Sequence, residues 1–146
     1  MSIVSKHPMP ELGGGGSSTQ KFWFIGQHRD SLPNSTTEYF GFFSRNPLHA
    51  TTSYTRTICP AAMTAKKLKI DIESNSRSGA VPIALMINGG ASSTIVGNIP
   101  ATTTGIIEIE ADQALSEDDL INVRLDGSTT TGTLTVRGAS LECEYS

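Results

Sequence analysis

Two cysteines, Cys59 and Cys143, have the clearest capacity for covalent chemistry in this chain. A bridge between them would close a loop of about 84 residues and stabilise the fold by roughly 4–5 kcal/mol in the chain-entropy model. In a reducing compartment the same pair would remain as two buried thiols, which behave as small hydrophobic side chains. The sequence leaves both alternatives open. No histidine motif accompanies Cys59 to make it a nucleophile.

The histidines and carboxylates form no recognisable metal-binding or catalytic motif. His7, His28 and His49 are 21 residues apart each time, which is not the spacing of metal ligands. Residues 117–119 place three carboxylates in a turn, but their spacing does not match a calcium loop. The chain also has no GxSxG elbow. We therefore expect a protein that is not an enzyme and that binds neither a cofactor nor a metal ion.

A glycine-rich segment opens the chain and runs directly into aromatic residues, in "ELGGGGSSTQKFWF" at 11–24. Ordering such a tether costs roughly 1–2 kcal/mol per residue and buries no side chain in return. We expect residues 1–20 to form an extended arm that fastens a domain, residues 21–146, to a larger particle. The expected anchoring residues are Pro8, Pro10, Leu12, Gly13, Gly14, Gly15 and Gly16.

Alternating polar and apolar residues indicate β-strands through most of the chain after residue 20. In "KKLKIDIES", Leu68, Ile70 and Ile72 share one face and charged residues the other, as in a sheet with one solvated face. The run "AVPIALMING" ends in an Asn-Gly turn signal, and "TLTVRGASLECEYS" slips by one residue, which predicts a bulge at Gly138. The sequence thus predicts an all-β, antiparallel sandwich of jelly-roll type.

Aromatic residues are concentrated at the start of the expected domain, where seven of the nine lie between positions 22 and 43. Strand neighbours face opposite sides, so Phe22 and Phe24 would share one face and Trp23 the other. A single outer sheet cannot hide two apolar faces. We expect a subunit interface, and the alternative is the centre of a large monomeric core. The interface residues would be Phe22, Trp23, Phe24, Tyr39, Phe40, Phe42 and Phe43.

Charge is distributed unevenly along the chain. Residues 1–104 carry nine basic and five acidic side chains, whereas residues 105–146 carry two and nine. Because the acidic end could meet the basic part of a neighbouring copy, the asymmetry is a hint of self-assembly. Only Lys66, Lys67 and Lys69 cluster, so we expect no nucleic-acid partner. No apolar run approaches the ~20 residues of a spanning helix, and we expect no membrane association.

Four stretches follow a familiar order: "EYFGFFS", "ICPAAMTAKKLKIDIES", "PIALMINGG" and "QALSEDDLINVRLDGSTTTGTLTVRGASLE". From about residue 37 onward this order resembles the small jelly-roll domains of bacteriophage and prophage structural proteins, in fibre heads and capsid decorations. Shared features include the Asn88-Gly89 turn and an acidic turn that opens a late strand. Where such domains often have Gly-Asp, this chain has Asp118-Asp119.

The resemblance implies a structural role on a virion. Such domains are commonly homotrimers, so the implied partners are further copies of this chain and a major capsid or tail protein. The implied location is the virion, after synthesis in the host cytoplasm. Jelly rolls also present loops to sugars, and a receptor- or glycan-binding module, with a host-surface glycan as partner, is the alternative function.

Overall fold

A computed structural model of the chain describes residues 19–43 and 48–145. The expected anchoring residues, from Pro8 to Gly16, lie outside the described residues, and so does the side chain of His28. The described strands are β1 (Gln20–Leu32), β2 (Thr37–Phe40), β3 (Leu48–His49), β4 (Thr57–Ile58), β5 (Met63–Asn75), β6 (Val81–Ile87), β7 (Gly90–Ile99), β8 (Gly105–Leu115), β9 (Leu120–Asp126) and β10 (Leu134–Tyr145).

The strands form two antiparallel sheets that pack face to face. Sheet A has the order β1-β10-β5-β8, and sheet B has the order β3-β2-β9-β6-β7, with the short β4 also paired to β9. Apart from the short β3 and β4 and the β6–β7 hairpin, which stay within sheet B, successive strands cross from one sheet to the other, in the pattern of a jelly roll. The predicted fold class, an all-β antiparallel sandwich, is confirmed. A single 3₁₀ turn, Thr52–Tyr54, precedes β4 within the described part of the chain.

The alternation seen in the sequence decides which side chains enter the core. In β5, Leu68, Ile70 and Ile72 are almost fully buried between the sheets, whereas the intervening residues are half-buried on the outer face. In β10, the apolar side chains of the alternating pattern likewise point into the core. The register of its pairing with β5 shifts between Val136 and Gly138, so the predicted bulge is confirmed. Burying each such aliphatic side chain contributes roughly 1.5–3 kcal/mol. Buried side chains of this kind lie on the long strands of both sheets.

The turn between β6 and β7 has the geometry that its sequence predicts. Asn88 and Gly89 have φ values of 52° and 87°, and a two-residue turn with both values positive is the type I′ hairpin. Asparagine and glycine tolerate this backbone better than other residues. The hairpin therefore fixes the register of the β6–β7 pair.

The acidic residues of the C-terminal third meet their basic partners within the chain. Lys67 Nζ lies 2.5 Å from Glu110 Oε1, and Lys69 Nζ lies 3.1 Å from Glu108 Oε1, because β5 and β8 are neighbours in sheet A. Lys21 of β1 similarly reaches Glu142 of β10. Pairing within the chain therefore accounts for the charge asymmetry without a second copy. The jelly roll brings distant basic and acidic strands side by side in one molecule.

Candidate interaction surface

Three of the seven aromatic residues expected at an interface belong to the chain's own core. Phe24, Phe40 and Phe42 are each 1% exposed. They lie on the inward faces of the strands and loop that carry them, and Phe24 packs against Phe42 with ring centroids 5.9 Å apart. The interface assignment is corrected for these three, since a side chain enclosed between two sheets cannot contact another subunit. Phe22 and Tyr39 are half-buried.

The other two aromatic residues, Trp23 of β1 and Phe43 at the edge of that strand, are exposed, and so is Ile25 of β1. Trp23 is 46% exposed, Ile25 44% and Phe43 65%. Trp23 and Ile25 are two residues apart on one strand and thus share the outer face of sheet A. We call Trp23, Ile25 and Phe43 the β1 patch. Sequence reasoning missed Ile25, although the alternation that placed Trp23 outward places Ile25 there too.

Phe43 is held at the margin of β1 by its backbone. Its N–H donates to the carbonyl of Ile25 at 3.2 Å, and its ring centroid lies 6.2 Å from that of Phe24. Its φ of 55° is left-handed, a conformation that costs roughly 1–2 kcal/mol for a residue with a Cβ. A strained backbone that presents a mostly exposed aromatic ring is typical of a functional surface rather than of a packing site.

A groove on the outer face of sheet A adjoins the β1 patch. It has a volume of about 430 Å³ and contains residues from all four strands of the sheet. Gly26 and Gly138 also line it, next to the bulge in β10. Exposed apolar side chains stand at two of its walls: Ile25 on β1 and Ile106, 57% exposed, on β8. The groove therefore extends the apolar surface from the edge of the sheet towards its centre.

The two cysteines are free thiols, and both are fully buried. The Cys59 thiol donates to the carbonyl of Ala61 at 3.0 Å. Burial raises the pKa of Cys143 to about 12, with a smaller contribution from Cys59. Burial also raises the pKa of Cys59. Because the thiolate is the reactive form, neither sulfur is suited to nucleophilic chemistry in the folded chain.

The acidic run, residues 117–119, lies in the turn before β9, and Asp119 stabilises that turn. Asp119 accepts hydrogen bonds from the backbone N–H of Ser116 and from the side-chain amide of Asn88, each at 2.7 Å. Asp118 has a φ of 69°, a left-handed backbone that glycine adopts more readily than aspartate. Among the described residues no group of three or more His, Cys, Asp and Glu side chains could hold a metal ion.

Within the described ranges, no helix has the length and apolar character needed to cross a lipid bilayer.

Comparison with known proteins returned no matching family model and no matching curated protein. Among solved structures, the fold is similar to part of an exo-β-1,3-galactanase from Phanerochaete chrysosporium, solved with galactose. The similarity has a TM-score of 0.36 and 12% sequence identity, and it covers 87% of this chain and 30% of the galactanase chain. A likeness this distant carries no argument about what this chain does.

Proposed function

We propose that this chain is a structural protein of a virion, a capsid decoration or a head or tail fibre component. Copies of the jelly roll would associate as a homotrimer, and the N-terminal arm would attach them to a capsid or tail protein. The observation that carries the proposal is the β1 patch, because a solitary domain gains nothing from exposing a tryptophan, an isoleucine and a phenylalanine around one edge strand. The proposal assigns no catalytic step to the chain.

The proposed occupant of the β1 patch is a second copy of this chain. An aromatic side chain buries roughly 150–250 Å², and a stable interface buries about 800 Å² per partner. The three side chains of the patch would thus supply the apolar centre of an interface, and the adjoining groove would extend it. β1 is also the outermost strand of sheet A, and beyond Ile25, whose carbonyl accepts from Phe43, the edge of such a strand can pair with another chain.

Sedimentation of two matched variants tests the proposed interface. Ile25→Lys puts a charge into the β1 patch, and Val96→Lys puts the same charge on β7 of the other sheet. The two parent residues are both β-branched and aliphatic, and they are 44% and 46% exposed. We expect Ile25→Lys to yield single chains and Val96→Lys to retain the wild-type oligomer. Equal behaviour of the two variants would remove the patch from the interface.

Attachment to a particle is tested separately by deleting residues 2–18. The deletion ends before β1 begins at Gln20, so the truncated domain should still unfold cooperatively. We expect it to be lost from purified particles while the full-length protein remains bound. Retention of the truncated domain on particles would contradict the arm hypothesis without affecting the proposed interface.

A further inference from the structure

The turn between β6 and β7 contains the residues of a chemically reactive peptide unit. An asparagine side chain can react with the backbone nitrogen of the next residue, and a glycine there leaves that nitrogen unshielded because it has no Cβ. Asn88-Gly89 is the one Asn-Gly pair in the sequence. Both residues are exposed, and so is Gly90, which follows them. Water therefore reaches the turn.

The reaction of such a unit is a deamidation, with water as the co-reactant. The Gly89 nitrogen attacks Cγ of Asn88, the bond from Cγ to Nδ2 breaks, and ammonia leaves with the proton of the Gly89 N–H. The product of this step is a cyclic imide. One water molecule then opens the imide at either carbonyl and leaves an aspartate or an isoaspartate. The chain and water supply every atom of the reaction.

Hydrogen bonds to the start of β9 hold the Asn88 side chain in place. Its Nδ2 donates to Asp119 Oδ1 at 2.7 Å, and its Oδ1 accepts from the Leu120 N–H at 2.9 Å. The Asn88 N–H also donates to the carbonyl of Leu120 at 2.8 Å. An amide bound through both its nitrogen and its oxygen must break these bonds before its carbon can rotate towards the Gly89 nitrogen. The bond to the carboxylate is charge-assisted and thus strong, so the closed turn suppresses the attack.

A positive charge lies against the residue that supplies the attacking nitrogen. Arg56 Nη2 would be 3.3 Å from a Cβ placed on Gly89. The Nε of Arg56 is buried without a hydrogen-bond partner, and Arg56 forms no ion pair with a described carboxylate. Negative charge develops on the nitrogen and then on the carbonyl oxygen during the attack, and a nearby cation stabilises it. Arg56 should therefore accelerate the reaction once the turn opens.

We propose that Asn88 is a site of spontaneous deamidation, which Asp119 and Leu120 suppress in the closed turn and which Arg56 promotes when the turn opens. The product would keep the turn open. A carboxylate at position 88 would replace the amide that now donates to Asp119 at 2.7 Å, and two like charges at that distance repel each other. The change is therefore irreversible. It takes place in sheet B and does not depend on the β1 patch of sheet A.

Incubation of the full-length protein at mildly alkaline pH, followed by mass spectrometry of its peptides, tests the site. Asp119→Ala removes the acceptor of the Asn88 amide. We expect it to raise the rate at Asn88 about tenfold or more, because a hydrogen bond to a charged group is lost. Glu117→Ala removes an exposed carboxylate of the same turn and is the matched control. It should react at the wild-type rate.

Asn75 provides a second control within the same chain. It precedes a serine, and its amide donates to the carbonyls of Pro100 and Thr103 at 3.0 and 3.1 Å. Opening of the whole fold would raise the rates at Asn75 and Asn88 together, whereas release of the β6–β7 turn should raise only the rate at Asn88. If Asp119→Ala does not fold, Asp119→Asn keeps the size of the side chain without its charge, and it should still react faster than the wild type.

The role of the guanidinium is measured in the chain with the released turn. Arg56→Gln combined with Asp119→Ala should react about threefold or more slowly at Asn88 than Asp119→Ala alone. Arg137→Gln, which removes an exposed arginine from sheet A, should leave the rate unchanged in the same background.

Three results would overturn the proposal. They are equal rates at Asn88 in Asp119→Ala and Glu117→Ala, equal increases at Asn75 and Asn88 in Asp119→Ala, and no effect of Arg56→Gln on the released turn. Asn88→Asp makes one product directly and should unfold at a lower urea concentration than the wild type. An unchanged urea midpoint would reject the repulsion that keeps the turn open.

Discussion

At the scale of single residues, Arg77 fastens three loops at one end of the sandwich. Its Nη2 donates to the carbonyls of Leu32 and Pro33 at 2.8 and 2.7 Å, and its Nη1 donates to that of Thr130 at 3.2 Å. Burial lowers its pKa, yet an arginine remains charged. Peptide dipoles therefore take the place of a counter-ion.

Arg77→Ala should destabilise the chain by about 3 kcal/mol or more, because hydrogen bonds to a charged group contribute about 1.5–3 kcal/mol each and the carbonyls would be left buried. Arg29→Ala is the control. Arg29 is exposed and its ion-pair partner in the described chain is Glu73, so its loss should cost less than about 1 kcal/mol. Urea unfolding measures both. Similar losses for the two variants would show that Arg77 does not hold the loops.

Glu38 gives a pH-dependent test at the same scale. It lies on the inward side of β2, opposite the buried Leu125, and burial raises its pKa, with a further contribution from Asp30. The folded chain therefore holds this proton more tightly than the unfolded chain. Stability is lost as the pH rises from the ordinary glutamate pKa through the raised one.

Glu38→Gln should therefore raise the melting temperature at about pH 7 and lose this advantage at about pH 4, where the parent carboxyl is protonated. Thermal unfolding of both proteins at the two pH values measures the difference. An advantage that is the same at both pH values, or a loss of stability at the higher pH, would contradict an inward, desolvated carboxylate.

At the scale of elements, two glycines with the same backbone have different surroundings. Gly132, before β10, has a φ of 96°, and a Cβ there would collide with the carbonyl of Ser76. Gly105, at the start of β8, has a φ of 91° and nothing near its missing Cβ. The pair separates the cost of backbone strain from the cost of a steric clash.

Gly105→Ala should cost about 1–2 kcal/mol, from the left-handed backbone alone. Gly132→Ala should cost about 1–3 kcal/mol more, because the loop must move away from Ser76. Chemical denaturation of the two variants measures both numbers. If the two variants are equally stable, the β5–β6 and β9–β10 loops do not approach each other as closely as Gly132 and Ser76 do in this structure.

The strands were predictable because their alternation is local. The alternation of Leu68, Ile70 and Ile72 predicts β5, and the one-residue slip in the pattern at Gly138 predicts the bulge. The partners of each strand were not predictable, because pairing depends on contacts far apart in the chain. Lys67 and Glu110 illustrate this, since only the pairing of β5 with β8 brings them together. No sequence signal links them.

At the scale of the whole molecule, two inferences from the sequence overlooked contacts within the chain. Alternation separated Phe24 from Trp23 correctly, but it could not tell that a second sheet covers the face that carries Phe24, Phe40 and Phe42. Charge asymmetry likewise indicated a contact between copies, whereas β5 meets β8 within the chain. The aromatic residues that stay exposed belong in part to the β1 patch, and the proposal of self-assembly depends on that patch.

Sedimentation velocity of the full-length protein over a wide concentration range tests this proposal most directly. The account predicts a closed oligomer several times heavier than the 15.5 kDa chain, with Trp23 fluorescence shifted to shorter wavelength as copies associate and cover the ring. A single 15.5 kDa species at the highest concentration, with Trp23 still solvated, would contradict it.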